Sequence, residues 1–269
     1  WATLAIFYSN LPWPAARMVL AGAFLLFGVW ALWLARGKRA FAAFALANQS
    51  LTILRAWRAP WLYAMLSNAI SLLRVPALMK QTRIVAVNGP RGTKAACSAD
   101  AIKQKFGTDL ITIQNQEILD IAKSIDPKAA EAEAEQYWIK PAIGILEPTR
   151  QEIIDSARYY LAVKQLMIRE KAQGICSAAC MGTPRACLTF SKLNDLGLVG
   201  ACEGDIDSTL TMLLFAHAFR APGFITDPVV DEGKNALVQF HCTSFTQMPD
   251  GSRMPFLIRN QTDSGGGVA

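Results

Sequence analysis

No acidic residue precedes Asp100 in this 269-residue chain, and inside that stretch residues 18–35 (MVLAGAFLLFGVWALWLA) carry no charge at all. Arg17 and Arg36 bound the run. As a helix it reaches about 27 Å at about 1.5 Å per residue, just enough to cross a bilayer. More positive charge follows the run (Arg36, Lys38, Arg39) than precedes it (Arg17). The positive-inside rule therefore predicts a downstream domain in the cytoplasm, tethered to the inner membrane and able to associate with it through residues 18–35. A signal peptide is the competing reading, but the run is long for the apolar segment of one and lies late in the chain.

Composition divides the chain the same way. Hydrophobic residues make up 52% and the mean hydropathy is +0.23, high for a purely soluble enzyme, and the excess sits in the first 80 residues. From Arg83 onward charges are spread throughout, and the length suffices for a buried core. The net charge of +6 owes much to basic residues before position 84. A basic flank on an apolar segment is a topology signal, and without a nucleic-acid motif or aromatics interleaved with a basic stripe it excludes nucleic acid as a partner. Six cysteines (Cys97, Cys176, Cys180, Cys187, Cys202, Cys242) read as reduced, mostly buried thiols. Three and six residues separate Cys176, Cys180 and Cys187, which is not a usual zinc spacing.

The expected organisation is a hydrophobic region over 1–48, a helical connector over 49–82 broken near Pro60 and Pro76, and an α/β domain over 83–222. A second domain begins over 223–269 and is cut short. Residues 84–87 (IVAV) read as a buried strand, 88–92 (NGPRG) as a turn, 94–106 as a helix ending at Gly107, and 109–113 (DLITI) as a second strand. Residues 116–136 read as a helical, acidic stretch and 147–171 as a long helix with Ile153, Ile154, Ala157, Tyr160, Leu161 and Leu166 on its apolar face. Strands alternating with helices predict a Rossmann-like parallel-sheet domain.

The stretch from Cys187 to Cys242 is where chemistry can reside. Residues 198–201 (LVGA) read as a strand delivering Cys202, Glu203 and Asp205 at its C-terminal end, where parallel α/β sheets bind ligands. A helix over 208–219 (STLTMLLFAHAF) follows, with Asp207 or Ser208 able to cap it and His217 a packed or surface residue within it. The same logic puts Asp227 at the end of a second strand and His241 at the end of a third. Glu, Asp and His at successive strand ends suit Mn²⁺ or a similar divalent ion. Cys202 and Cys242 with His241 offer a soft-metal set as an alternative, ranked below the carboxylate one.

Two ordered phrases, CLTFSKLNDLGLVGACEGDIDSTLTMLL (from Cys187) and PGFITDPVVDEGKNALVQFHCTSF (ending at Phe245), resemble the L-fucose/L-arabinose isomerase superfamily. The resemblance extends over about 83–269. It implies α/β domains with a metal site between them, and an aldose–ketose isomerase that works through an enediol with Mn²⁺ or another divalent cation as cofactor, a sugar as substrate and oligomers as the common assembly. It puts Glu203 on the metal-binding glutamate that also transfers protons, Asp227 near the second acidic ligand, and His241 on a histidine in the phrase HCT. Where family members carry a histidine near 258–265 (IRNQTDSG), this chain has Gln261. Residues 1–47 resemble a different family, of bacterial inner-membrane proteins of unknown function. Two further readings stay open beside the isomerase: a non-catalytic, membrane-tethered sugar-binding module, and a truncated or chimaeric fragment.

Overall fold

The computed structural model describes residues 60–269 apart from 222, 249 and 262–266. The expected membrane helix at 18–35 lies outside the described residues; among those described, no helix is long and apolar enough to cross a membrane. The chain divides into two compact units, Trp1–Arg74 and Val75–Ala269, and everything described below from β1 onward belongs to the second.

Helix α1 (Pro60–Met79) runs through Pro76, where the sequence predicts a break. The proline falls in the last turn, so its missing N–H and its ring disturb only the final rungs of the ladder. β1 (Arg83–Val87) then leads to α2 (Ala99–Phe106) and β2 (Asp109–Ile113). α2 starts five residues later than expected because Ser98 is its cap, accepting from the Ala101 N–H, and it ends on Gly107 in the left-handed conformation. The acidic stretch predicted as continuous splits into α3 (Asn115–Ser124), α4 (Pro127–Glu133) and a π-helical turn (Ala134–Ile139). Pro127 sets the break, since it starts a helix more readily than it continues one. After the short β3 (Gly144–Ile145), α5 (Arg150–Glu170) opens with a full capping box between Thr149 and Glu152.

α5 feeds β4 (Gly174–Ser177), α6 (Cys187–Asp195) feeds β5 (Val199–Ala201), and α7 (Ile206–Phe219) closes the layer. These strands make one parallel sheet in the order β2-β1-β4-β5. The fold is thus mixed α/β with a four-stranded parallel sheet, as the alternation predicts. Alternate side chains of β1 serve two cores, as a pleated strand requires. Val85 and Val87 pack with Ile118, Ile153, Tyr160 and Phe190 on one face, and Ile84 and Ala86 with Ile102, Ile206 and Leu213 on the other. A strand buried on both faces reads in sequence as an unbroken apolar run, hence IVAV.

The remaining strands lie outside this sheet. β6 (Asp227–Asp231) and β7 (Ala236–Phe240) form an antiparallel hairpin, and β8 (Leu257–Ile258) pairs with β3. Asp227 is accordingly the first residue of an antiparallel strand, not the end of a parallel one.

Candidate active site

Glu203 sits immediately past β5, where the backbone turns sharply. Its φ of 59° and the 75° of Gly204 are both in the left-handed region, uncommon for a residue with a long side chain. Surrounding hydrogen bonds hold this turn. The Glu203 N–H donates to Cys180 Sγ at 3.1 Å, and the turn after β1 braces it from the other side. There the Arg91 N–H donates to the Gly204 carbonyl (2.7 Å) and the Ile206 N–H to the Arg91 carbonyl (3.0 Å). The NGPRG segment is therefore a strut across the end of β4, with the Arg91 N–H already used. Gly92 is required in it: a Cβ there would lie 2.2 Å from Asp207 Oδ2.

Helix α7 is capped by Asp205, which accepts from the Ser208 N–H (2.9 Å), and not by Asp207 or Ser208. Asp207 is turned outward to Thr93, accepting from its N–H at 2.6 Å and its hydroxyl at 2.8 Å. His217, half-buried in α7, pairs through Nε2 with the Thr82 hydroxyl at 2.8 Å, and burial holds its pKa below the ordinary value. It is a packed residue, away from Glu203.

Antiparallel pairing, not a shared sheet edge, unites the other two expected residues. Asp227 opens β6 opposite Phe240, the last residue of β7, so His241 emerges beside it. His241 Nε2 lies 3.9 Å from Asp227 Oδ2. On the other side of the ring the Thr243 N–H donates to Nδ1 (3.3 Å), and the Thr243 hydroxyl is 2.8 Å from the same atom. The neutral ring so held carries its proton on Nε2, towards Asp227. Hydrogen bonding to Cys242 raises the His241 pKa; burial opposes this, while charge on Cys242, Asp227 and Glu203 adds to it.

Two side chains for which the sequence suggests no role at the site hold the His241 segment to the sheet. Asn194 is fully buried and completes the exposed edge of β5 in place of another strand. Its amide accepts from the Gly200 N–H (2.9 Å) and donates to the Gly200 carbonyl (3.3 Å) and the Thr243 carbonyl (2.9 Å). Asp195, 5% exposed, accepts from the Thr246 N–H (2.5 Å) and hydroxyl (2.7 Å), the Gln247 N–H (2.7 Å) and the Tyr137 hydroxyl (2.7 Å). The sequence suggests a mere turn over 194–197; the polar pair at the end of a buried helix is the signal that could have revealed more.

Glu203, Asp227 and His241 line one cavity of about 530 Å³, together with Gln261, Arg185, Arg253 and Arg259. Arg259 is paired with Glu147 at 2.5 Å, and Arg253 stacks over the rings of Tyr137 and Phe256. Two carboxylates and an imidazole fit a hard divalent ion by their chemistry. Both carboxylates are exposed and they form no tight cluster with His241. Among the described residues the close set of donors is instead Cys202, His241 and Cys242, mutually within 4.8 Å.

All six cysteines are free. Four of them, Cys180, Cys187, Cys202 and Cys242, line the same cavity and share hydrogen bonds. Cys187 and Cys202 bond to Cys242 and hold its thiol well below the ordinary range, and Cys202 brings Cys180 down to about 7. The Cys202 and Cys187 thiols, bonded to these two and buried, are pushed up.

No family model matches the chain. Over 146 residues, 51% of the chain, it is 30% identical to a sulfoquinovose isomerase of Clostridium sp. (strain MSTE9). The matched stretch spans 32% of that protein's length.

Proposed function

We propose that the chain carries the proton-transfer half of an aldose–ketose isomerase site, with Glu203 and Asp227 as its acid–base pair. The observation that carries the reading is the cavity that Glu203, Asp227 and His241 line together, at the C-terminal end of a parallel strand. The local similarity to a sugar isomerase supports it. So does the resemblance to the L-fucose/L-arabinose isomerases.

In such a reaction the Glu203 carboxylate takes the proton from C2 of the open-chain aldose. The C2–H electron pair becomes the C1–C2 double bond as O1 gains a proton. Return of a proton to C1, with loss of one from O2, gives the ketose. Asp227, on the hairpin side, serves the protons on oxygen, and His241 orients it. Glu203, Asp227 and His241 would hold a divalent ion such as Mn²⁺, which would supply stabilisation of negative charge developing on the sugar oxygens. Arg253 at the cavity wall suits a sugar with an acidic substituent, so sulfoquinovose is the first substrate to try.

The test is Mn²⁺ binding by the full chain, followed by ketose formation from sulfoquinovose, L-fucose and L-arabinose. Wild type should bind Mn²⁺ and convert one of these sugars; Glu203→Gln and Asp227→Asn should each lose both abilities. Sugar binding without Mn²⁺ binding or turnover would replace this reading with that of a binding module, in which Gln261 marks the lost metal ligand.

A further inference from the structure

We propose that Cys202, Cys242 and His241 form a site for a thiophilic divalent ion of the Zn²⁺ class, built beside the carboxylates and of opposite chemical preference. The set includes neither Glu203 nor Asp227 and shares only His241 with the isomerase reading.

Donor spacing is the first argument. Metal–sulfur bonds of about 2.3 Å and metal–nitrogen bonds of about 2.0 Å at tetrahedral angles separate two sulfurs by about 3.8 Å and a sulfur from a nitrogen by about 3.5 Å. Cys202 Sγ and Cys242 Sγ are 3.6 Å apart, and Cys242 Sγ is 3.9 Å from His241 Nδ1. These two separations are near those required, the third lies within 4.8 Å, and a metal at Nδ1 replaces the hydrogen bonds this atom shares with Thr243.

Preorganisation is the second. Cys202 leaves the end of the buried strand β5 and is 5% exposed. His241 and Cys242 come from a segment 39 and 40 residues further on, fixed to β5 through Asn194 and Thr243. A buried scaffold spends its folding energy on bringing two thiols and an imidazole together, which is what separates a metal site from a chance pair of cysteines.

Donor chemistry is the third. Thiolate and imidazole favour Zn²⁺ and its congeners over Mn²⁺ or Mg²⁺, whereas Glu203 and Asp227 favour the reverse. Three protein ligands leave a fourth position for water or a solute, the arrangement of reactive zinc rather than structural zinc. Cys180, hydrogen-bonded to Cys202, neighbours the set without belonging to it.

The experiment uses the reduced full chain and Co²⁺ alone as probe. Wild type should show thiolate-to-cobalt charge-transfer absorption with tetrahedral visible bands, bleached by one equivalent of Zn²⁺. Cys202→Ser and Cys242→Ser should each remove the charge-transfer band, while Cys97→Ser and Glu203→Gln keep it. A second measurement needs no variant: Zn²⁺ should protect Cys202 and Cys242, but not Cys97, from alkylation mapped by mass spectrometry. Absence of the band in a wild type whose thiols titrate as reduced would overturn the proposal, as would a band that survives Cys202→Ser or a lack of zinc protection. Loss of Mn²⁺ binding in Glu203→Gln with the cobalt band intact would bear on the isomerase reading alone.

Discussion

The two halves of the candidate site are made in different ways. Glu203 and Cys202 hang from a parallel sheet whose strands β1, β4 and β5 are buried along nearly their whole length. Asp227 and His241 hang from a hairpin whose strands are exposed along nearly all of theirs, with Val230 69% and Leu237 56% accessible. Hydrophobic burial fixes the first half, at about 25 cal/mol for each Å² of apolar surface removed from water. Directional hydrogen bonds from Asn194 and Asp195 hold the second. A packed core tolerates no slack, but a segment held by a few polar bonds is released when one acceptor is lost. The site thus joins a carboxylate that follows a buried strand to one that opens an exposed hairpin.

This difference can be broken from either side. The largest effect is expected from Asp195→Ala, which strips three hydrogen bonds from the 243–247 segment and one from Tyr137, and leaves buried donors unpaired. It should lower stability by about 3 kcal/mol, and hydrogen exchange should show protection lost over 241–247 while β1 and β4 keep theirs. Equal loss in both regions would mean that they are one cooperative unit. Gly200→Ala strikes the junction from the sheet side. Its Cβ would lie 2.8 Å from Phe190 Cα, so α6 must shift off β5 at a cost of about 2 kcal/mol, read as a lower urea midpoint. Thr149→Ala removes half of a capping box whose residues do not line the cavity and should cost about 1 kcal/mol. Metal binding should be unchanged, which separates global destabilisation from damage to the site.

The smallest effect is a pH dependence on the sheet side. Burial depresses the folded pKa of His217 below its unfolded value of 6.5. The unfolded chain therefore takes up a proton first, so the contribution is present above that value and lost as pH falls through the folded pKa. Thermal midpoints measured between about pH 7.5 and about pH 5 should fall further in wild type than in His217→Gln. Parallel curves would remove the assignment.

What the sequence reveals follows the same division. β1, β2 and α5 are legible because burial on two faces, alternation and a long helical apolar face each leave a local mark. β4 (GICS) is too short and too poor in β-branched residues to be read, and α6 begins at Ala186 without a capping side chain. Glu203 is found correctly at the end of a parallel strand. Asp227 and His241 are paired for a reason the sequence hides: the DEGKN segment, with Asn235 at a φ of 47°, turns the chain into a hairpin and reverses the strand direction assumed for Asp227. The sulfur cluster is the least legible part, because its members come from four separate segments and share no motif spacing.

The central claim is that Glu203 moves a proton between carbon and solvent-exchangeable positions. It is tested most directly by incubating the full chain with Mn²⁺ and sulfoquinovose in D₂O and following the C1 and C2 positions by NMR. The account predicts ketose carrying solvent deuterium at C1, with turnover lower by about 10³-fold in Glu203→Gln. Ketose formed without deuterium, or at an unchanged rate in Glu203→Gln, would contradict it.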